Sequence, residues 1–297
     1  RTAHLGRLEI ARSTVEDRRL RERERAAKDR LATPTEYVAG PDLDRSLLVP
    51  DLRTAAIEGA IYRANMACFQ PRPMARLLAE RASAAGVRFE DGTAVTDLVT
   101  ESGSVVGVET DSERIEADHV VCAAGPWVSA FARSVDLDLP ARHTLGPMLR
   151  VRPAEPIAER LPSLKDHDSG VYLRRDFDGT ILVGHRPGGY EVGTVYEVED
   201  VPDRVPEDRR DKMLTAATDL VPALADAETV EEWVGVRTLT DDGVPIVDTN
   251  AVDGLSLTVM NAEGMQLAPA AGRIIANRLT GGSLAAYDAD LRLDRVE

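Results

Sequence analysis

Hydrophobic residues repeat with two different periods along this chain, and the switches between them mark out its elements. Leu255, Leu257 and Val259 alternate with other residues, as a half-buried strand requires. Beyond Asn261-Ala-Glu-Gly264 the spacing lengthens, and Leu267, Ala271, Ile274, Ile275 and Leu279 recur at helical intervals. The pattern predicts a strand, a tight turn and a helix that starts near Gly264, with Pro269 in its opening turn. The free N–H groups of that helix point back toward the strand end. They can hold negative charge there, such as a phosphate or an electron-rich ring carbonyl.

Residues 13–30 follow a helical pattern but are densely charged, which predicts a solvated helix laced with opposite charges. Residues 71–86 read as an amphipathic helix closed by glycine, with Met74, Leu77, Leu78 and Ala85 on its buried face. Strands are predicted over 89–99, 104–110 and 114–123, with Glu101-Ser-Gly103 as a turn. From about 142 to 236 apolar and polar residues alternate, as in an antiparallel sheet with one wet face. Asp178-Gly179 makes a hairpin turn there, and residues 207–220 a helix. The order is mixed α/β, then an antiparallel insertion, then α/β again. This predicts an α/β (α+β) chain of two interleaved domains.

Composition narrows the picture. A length of 297 residues and 43% hydrophobic content suit about two globular domains. A net charge of -15 argues against nucleic acid and anionic membrane surfaces as partners. Lys28, Lys165 and Lys212 are the only lysines. That acid-rich, lysine-poor balance suggests a cytoplasm of high salt, although a GC-rich genome would also favour arginine. Cys68 and Cys122 are too few for a disulfide framework. No apolar run approaches the ~18–20 residues of a membrane span, and no signal peptide opens the chain, so a cytoplasmic location is expected. His4, His119, His143, His167 and His185 are isolated, so no metal site is expected. A Gly-x-Ser-x-Gly elbow is also absent.

Three stretches resemble one family. Arg114-Ile-Glu-Ala-Asp-His-Val-Val-Cys-Ala-Ala-Gly-Pro-Trp127 resembles a strand and Ala-Ala-Gly turn of the FAD-dependent oxidoreductases of the D-amino acid oxidase family. Glu232-Trp-Val-Gly-Val-Arg-Thr-Leu-Thr-Asp-Asp-Gly-Val-Pro-Ile246 resembles the family's Gly-x-Arg segment and Asp-Gly-x-Pro turn. Residues 261–273 resemble its closing flavin loop and helix. The Gly-x-Gly-x-x-Gly turn that holds the FAD pyrophosphate in such proteins is missing. Gly188, Gly189 and Gly193 have the wrong spacing, and the chain opens on Arg1. The expectation is a chain without its N-terminal nucleotide-binding unit. Residues 66–140 and 238–297 are then the incomplete FAD-binding domain, and 1–65 and 141–237 the antiparallel substrate domain.

The resemblance implies FAD as cofactor and oxidation of a C–N bond in a small amino acid or N-methyl amino acid. A partner subunit or an electron acceptor would complete the cycle. Arg237 would grip the substrate carboxylate, which guanidinium geometry suits. Read alone, it is a strand-end arginine paired with a local carboxylate such as Glu231 or Asp241. The family often has proline after that arginine, where this chain has Thr238. Asn261, Gly264, Met265 and Gln266 would lie along the flavin, with Glu263 opposing charge on the reduced ring unless it points away. Ala123, Ala124 and Gly125 would pass the phosphate portion, and Val95 would lie beside the adenine. His185 is a substrate-side candidate or a flavin attachment point. Two other readings stay open: a catalytically silent fragment or subunit, and a flavoenzyme for hydroxy acids or polyols.

Overall fold

The computed structural model describes residues 2–30, 34–43, 51–186, 197–283 and 288–296; Gly188, Gly189 and Gly193 lie outside them. In chain order come β1 (Thr2–His4), β2 (Arg7–Ala11), α1 (Thr14–Arg30), β3 (Glu36–Ala39), β4 (Gly59–Arg63), β5 (Ala67–Phe69) and α2 (Pro71–Ala84). These lead to β6 (Val95–Glu101), β7 (Ser104–Thr110), β8 (Arg114–Glu116), β9 (Val120–Cys122), α3 (Val128–Arg133) and β10 (Ala141–Arg152). Next are β11 (Ser163–Asp166), β12 (Val171–Arg175), β13 (Ile181–His185) and α4 (Glu207–Leu220). The chain closes with β14 (Glu228–Thr240), β15 (Ile246–Val252), β16 (Leu255–Val259) and α5 (Gly264–Thr280). The result is a mixed α/β protein. It divides into two compact units, each assembled from three stretches. Arg1–Leu77, Gly146–Gly193 and Pro202–Gly235 make the first; Leu78–Leu145, Thr194–Val201 and Val236–Glu297 make the second.

The first unit is organised on an eight-stranded sheet of order β14-β10-β13-β12-β11-β2-β4-β3. β10, β13, β12 and β11 pair antiparallel in that order, β12 and β13 being joined through Asp178-Gly179, and β2 joins β11 in parallel. Alternation sends Leu8, Ile10, Leu164, Leu173, Ile181 and Val183 to one face. Met213, Ala217 and Leu220 of α4 pack against them, fully or almost fully buried. Burying each large side chain of this kind contributes about 1.5–3 kcal/mol. The opposite face carries an in-register row: Ile61, Glu9, Lys165, Tyr172, Gly184 and Met148. Buried Glu9 sits 2.9 Å from His167 Nε2 and also pairs with Arg7 and Arg63. α1 packs through Leu20 on Ala11 and Ile61, and its outer face is laced by pairs such as Asp17–Arg21, 2.9 Å apart.

The second unit holds two three-stranded sheets, β15-β16-β9 and β6-β7-β8. β16 runs parallel to β9, placing Leu255 against Val120 and Leu257 against Cys122. Leu98, Val105, Val128, Leu255, Leu257 and Val259 form its core, and α5 lays Ala271, Ile274 and Ile275 on Val247.

Three expectations are corrected. The strand expected over 89–99 starts only at Val95, and Phe89 is exposed. The apolar face of α2 is not buried: Leu77 and Leu78 are 49% and 51% exposed. Helical periodicity reports that an apolar face exists, and nothing among the described residues covers this one. Pro269 is the sixth residue of α5 rather than part of its opening turn. It lacks the N–H that would bond the Met265 carbonyl, a loss that an exposed helix face tolerates.

Candidate active site

Parallel pairing of β9 and β16 brings their carboxyl ends to the same edge of the sheet, the usual place for a ligand in an open α/β layer. β9 runs out into Ala123-Ala-Gly125, and β16 into Met260–Glu263 and then α5. Between them lies a cavity of about 670 Å³ in the second unit. Its wall is mostly apolar and is completed by Val236 and Thr238 of β14.

The turn after β16 is held in an uncommon shape. Asn261 and Ala262 both adopt positive φ, +46° and +60°. Such a conformation costs roughly 1–2 kcal/mol for a residue with a Cβ, so the surroundings must enforce it. Asn261 supplies the brace: Oδ1 accepts the Thr240 N–H at 3.2 Å, and Nδ2 donates to the Gly243 carbonyl at 2.6 Å. The turn thereby delivers the α5 N-terminus to the cavity. The amides of Gly264 and Met265 have no partner among the described residues, as expected of the first turn of a helix.

Small residues keep the cavity open. Gly264, Ala268 and Gly272 recur at every fourth position of α5 and line it. A Cβ at Gly272 would meet nothing within 4 Å, and the same holds for Gly125, whose φ is +59°. Glycine inside a helix costs about 1 kcal/mol relative to alanine, so Gly272 is kept at a cost that packing does not explain.

Of the residues expected in the site, Ala123, Gly125, Gly264, Met265 and Gln266 line this cavity. Ala124 packs on the core instead. Asn261 is buried with its amide spent on the brace, and Val95 is exposed at the start of β6. Arg237 lies between Val236 and Thr238 on β14, so alternation turns its side chain away from the wall those two form. His185 belongs to the first unit, where Nε2 lies 3.2 Å from the Ser169 carbonyl. Glu263 lines the cavity and accepts a hydrogen bond from the Gln266 side chain at 2.6 Å. Asp242 is committed to Arg295 at 2.9 Å, which holds its carboxyl below the usual range. Among the described residues there is no cluster of metal ligands. Sequence pattern alone assigns no role to Thr238 or Gly272, although a glycine in mid-helix marks the latter.

A family model described as FAD dependent oxidoreductase matches residues 3–278. The chain belongs to that family. Among its relatives, D-amino acid dehydrogenase of Cereibacter sphaeroides is 31% identical over 219 residues, covering 73% of this chain and 48% of the relative. Glycine oxidase of Pseudomonas aeruginosa is 29% identical over 233 residues, covering 76% and 60%. The crystal structure of glycine oxidase from Geobacillus kaustophilus superposes with a TM-score of 0.82 at 22% identity, covering 98% of this chain and 75% of that one, and shows the shared fold. The chain thus spans about half the length of these two curated relatives. FAD is the cofactor of this family of oxidoreductases, and the residues present fit its ring. The cavity is mostly apolar, glycines leave room at Gly125 and Gly272, and the Gly264 and Met265 amides at its edge have no partner among the described residues. No helix of the described residues is long and apolar enough to cross a membrane.

Proposed function

We propose that this chain carries the substrate domain and the ring-binding part of the FAD domain of an amino acid oxidoreductase. Its substrate would be a small amino acid or N-methyl amino acid, the kind of compound named in its relatives glycine oxidase and D-amino acid dehydrogenase. In this reading 66–140 and 238–297 serve the cofactor, and 1–65 and 141–237 the substrate. The observation that carries it is the convergence of Ala123–Gly125, the Asn261 turn and the α5 N-terminus on one apolar cavity.

The bound flavin supplies a two-electron acceptor for the hydride on the carbon next to the amine nitrogen. The chain's own part is to hold and orient. The Gly264 and Met265 amides stabilise negative charge at the cavity mouth, and the low polarity of the wall strengthens that effect. Arg237 is the candidate for the substrate carboxylate through a charge-assisted bidentate contact, which requires the substrate to reach the face of β14 opposite Val236 and Thr238. A neutral amine releases hydride readily, so no protein base is required, and the imine product hydrolyses in water. The test is an amino acid panel with FAD and a dye acceptor, in air and without oxygen. Arg237→Ala should raise KM for carboxylated substrates about 10- to 100-fold, as loss of a charged hydrogen bond implies. An unchanged KM removes Arg237 from the site.

A second reading rests on exposed apolar surface. Leu77 and Leu78 of α2, Val87 and Phe89 are 49–51% exposed. Surface of this kind supports packing by a further segment or subunit that brings the nucleotide-binding turn. A chain that stays colourless with FAD, and takes it up only with such a segment supplied, would favour this reading. The acid-rich, lysine-poor composition supports a cytoplasm of high salt as the working place. Melting temperatures should then rise between low and molar salt; equal values would end that idea.

A further inference from the structure

Thr238 lines the cavity, and its hydroxyl does not stand alone. His143, on neighbouring strand β10, places Nδ1 3.2 Å from Thr238 Oγ1, and both residues are only 9% exposed. Burial pushes the imidazole pKa below its ordinary value. Glu197 and Glu199, from the segment before α4, act in the opposite direction, and Arg133 of α3 adds to the lowering. Arg142 on its own strand and Arg237 beside Thr238 carry fixed positive charge. The net shift is downward, which favours the neutral imidazole and moves its protonation toward acid.

A threonine hydroxyl has one proton to give and two lone pairs to offer. When neutral His143 carries its proton on Nε2, Nδ1 accepts the Thr238 proton, and the oxygen offers lone pairs to the cavity. When His143 takes a second proton from solvent, Nδ1–H donates to Oγ1. The Thr238 proton is then released to point into the cavity. The same wall atom changes from acceptor to donor, with no movement of the backbone.

We infer that His143 is a positioning residue that sets whether Thr238 accepts a hydrogen bond from, or donates one to, the group bound in the cavity. The inference rests on the reading that the cavity takes a flavin ring. In acid, the donor form would stabilise negative charge on the reduced ring and make the flavin easier to reduce. In neutral solution the acceptor form, which requires the Nε2–H tautomer of His143, would favour a ligand N–H. A residue without a hydroxyl at position 238, such as proline, could do neither.

The experiment uses the full chain with FAD, wild type and Thr238→Val, at about pH 5 and about pH 8. The flavin absorption bands and the reduction potential are recorded at both values. In wild type the bands should move between the two conditions, and the potential should rise in acid by more than it does for free FAD. In Thr238→Val, which keeps the shape, bound flavin should follow the free-cofactor dependence. Thr238→Ser should restore the wild-type response, and His143→Gln should hold the bands at one position. Bound flavin with the same response in wild type and Thr238→Val would overturn this inference alone. Failure of wild type to bind FAD at any concentration would overturn the cavity reading and this inference with it.

Discussion

Gly272 separates a ligand cavity from an accidental groove, because the two demand opposite outcomes from one substitution. It sits mid-helix in α5, is exposed, and faces open space where a Cβ would meet nothing within 4 Å. As a piece of helix it is a poor residue, and replacing it with leucine should stabilise the chain by about 1 kcal/mol. For a unit of this size that is a rise in Tm of about 2–4 °C. As a wall of the flavin cavity it is needed, because four added carbons would occupy space required by the ring. Overpacking of that sort costs roughly 1–3 kcal/mol, or about 5- to 150-fold in Kd. Thermal melts of the cofactor-free chain give the first quantity, and FAD titration followed by flavin fluorescence gives the second. Gly272→Leu should melt higher and bind more weakly. A variant that melts higher and binds FAD as tightly as wild type would refute the assignment of this cavity.

The remaining predictions concern charge and the loop brace. Burial pushes the Lys165 ammonium down from 10.5 to about 8, with Arg186, Arg7 and Arg23 adding to the effect and Glu9 opposing it. The unfolded chain therefore binds this proton more tightly, and stability should rise as pH climbs from about 8 to about 10.5. Lys165→Met should be more stable than wild type near neutral pH by about 1–3 kcal/mol after allowance for solvent screening, the difference vanishing above the upper limit. A constant difference at all pH values in urea melts would count against the buried charge. Asn261→Ala leaves the Thr240 N–H and the Gly243 carbonyl without the brace and should cost about 1–3 kcal/mol. It should also weaken FAD binding, since two positive-φ residues lose their support; unchanged affinity in the same titration would show that the loop holds its shape unaided.

Local signals were legible wherever the deciding interactions lie close in sequence. The helix over 207–220, the Asp178-Gly179 hairpin and the start of α5 at Gly264 are all set by neighbours within a turn or two. Non-local partners were not legible. In sequence Thr238 stands out only as a missing proline, because His143, its hydroxyl's partner, is 95 residues away. Periodicity predicts a buried face for α2 but cannot say what lies opposite Leu77 and Leu78, which are exposed. Asn261 was expected at the cofactor, yet its amide braces the turn that aims Gly264 and Met265. Sequence pattern identifies the loop, whereas hydrogen bonding to Thr240 and Gly243 assigns work within it.

Each unit is stitched from three stretches of chain, and this interleaving governs how the molecule is made and taken apart. Strand β14 completes the first unit's sheet, and β16 must find β9 far back in the chain before the second unit has its parallel pair. Neither can finish folding while its last segment is still in the ribosome. Non-local pairing of this kind also makes folding slow and leaves apolar surface open to aggregation meanwhile. A protease that cuts once at an inner boundary between stretches leaves both units discontinuous and releases neither as a separate chain. Isolating either half for study calls for rejoining its stretches with new linkers, not for choosing a place to truncate.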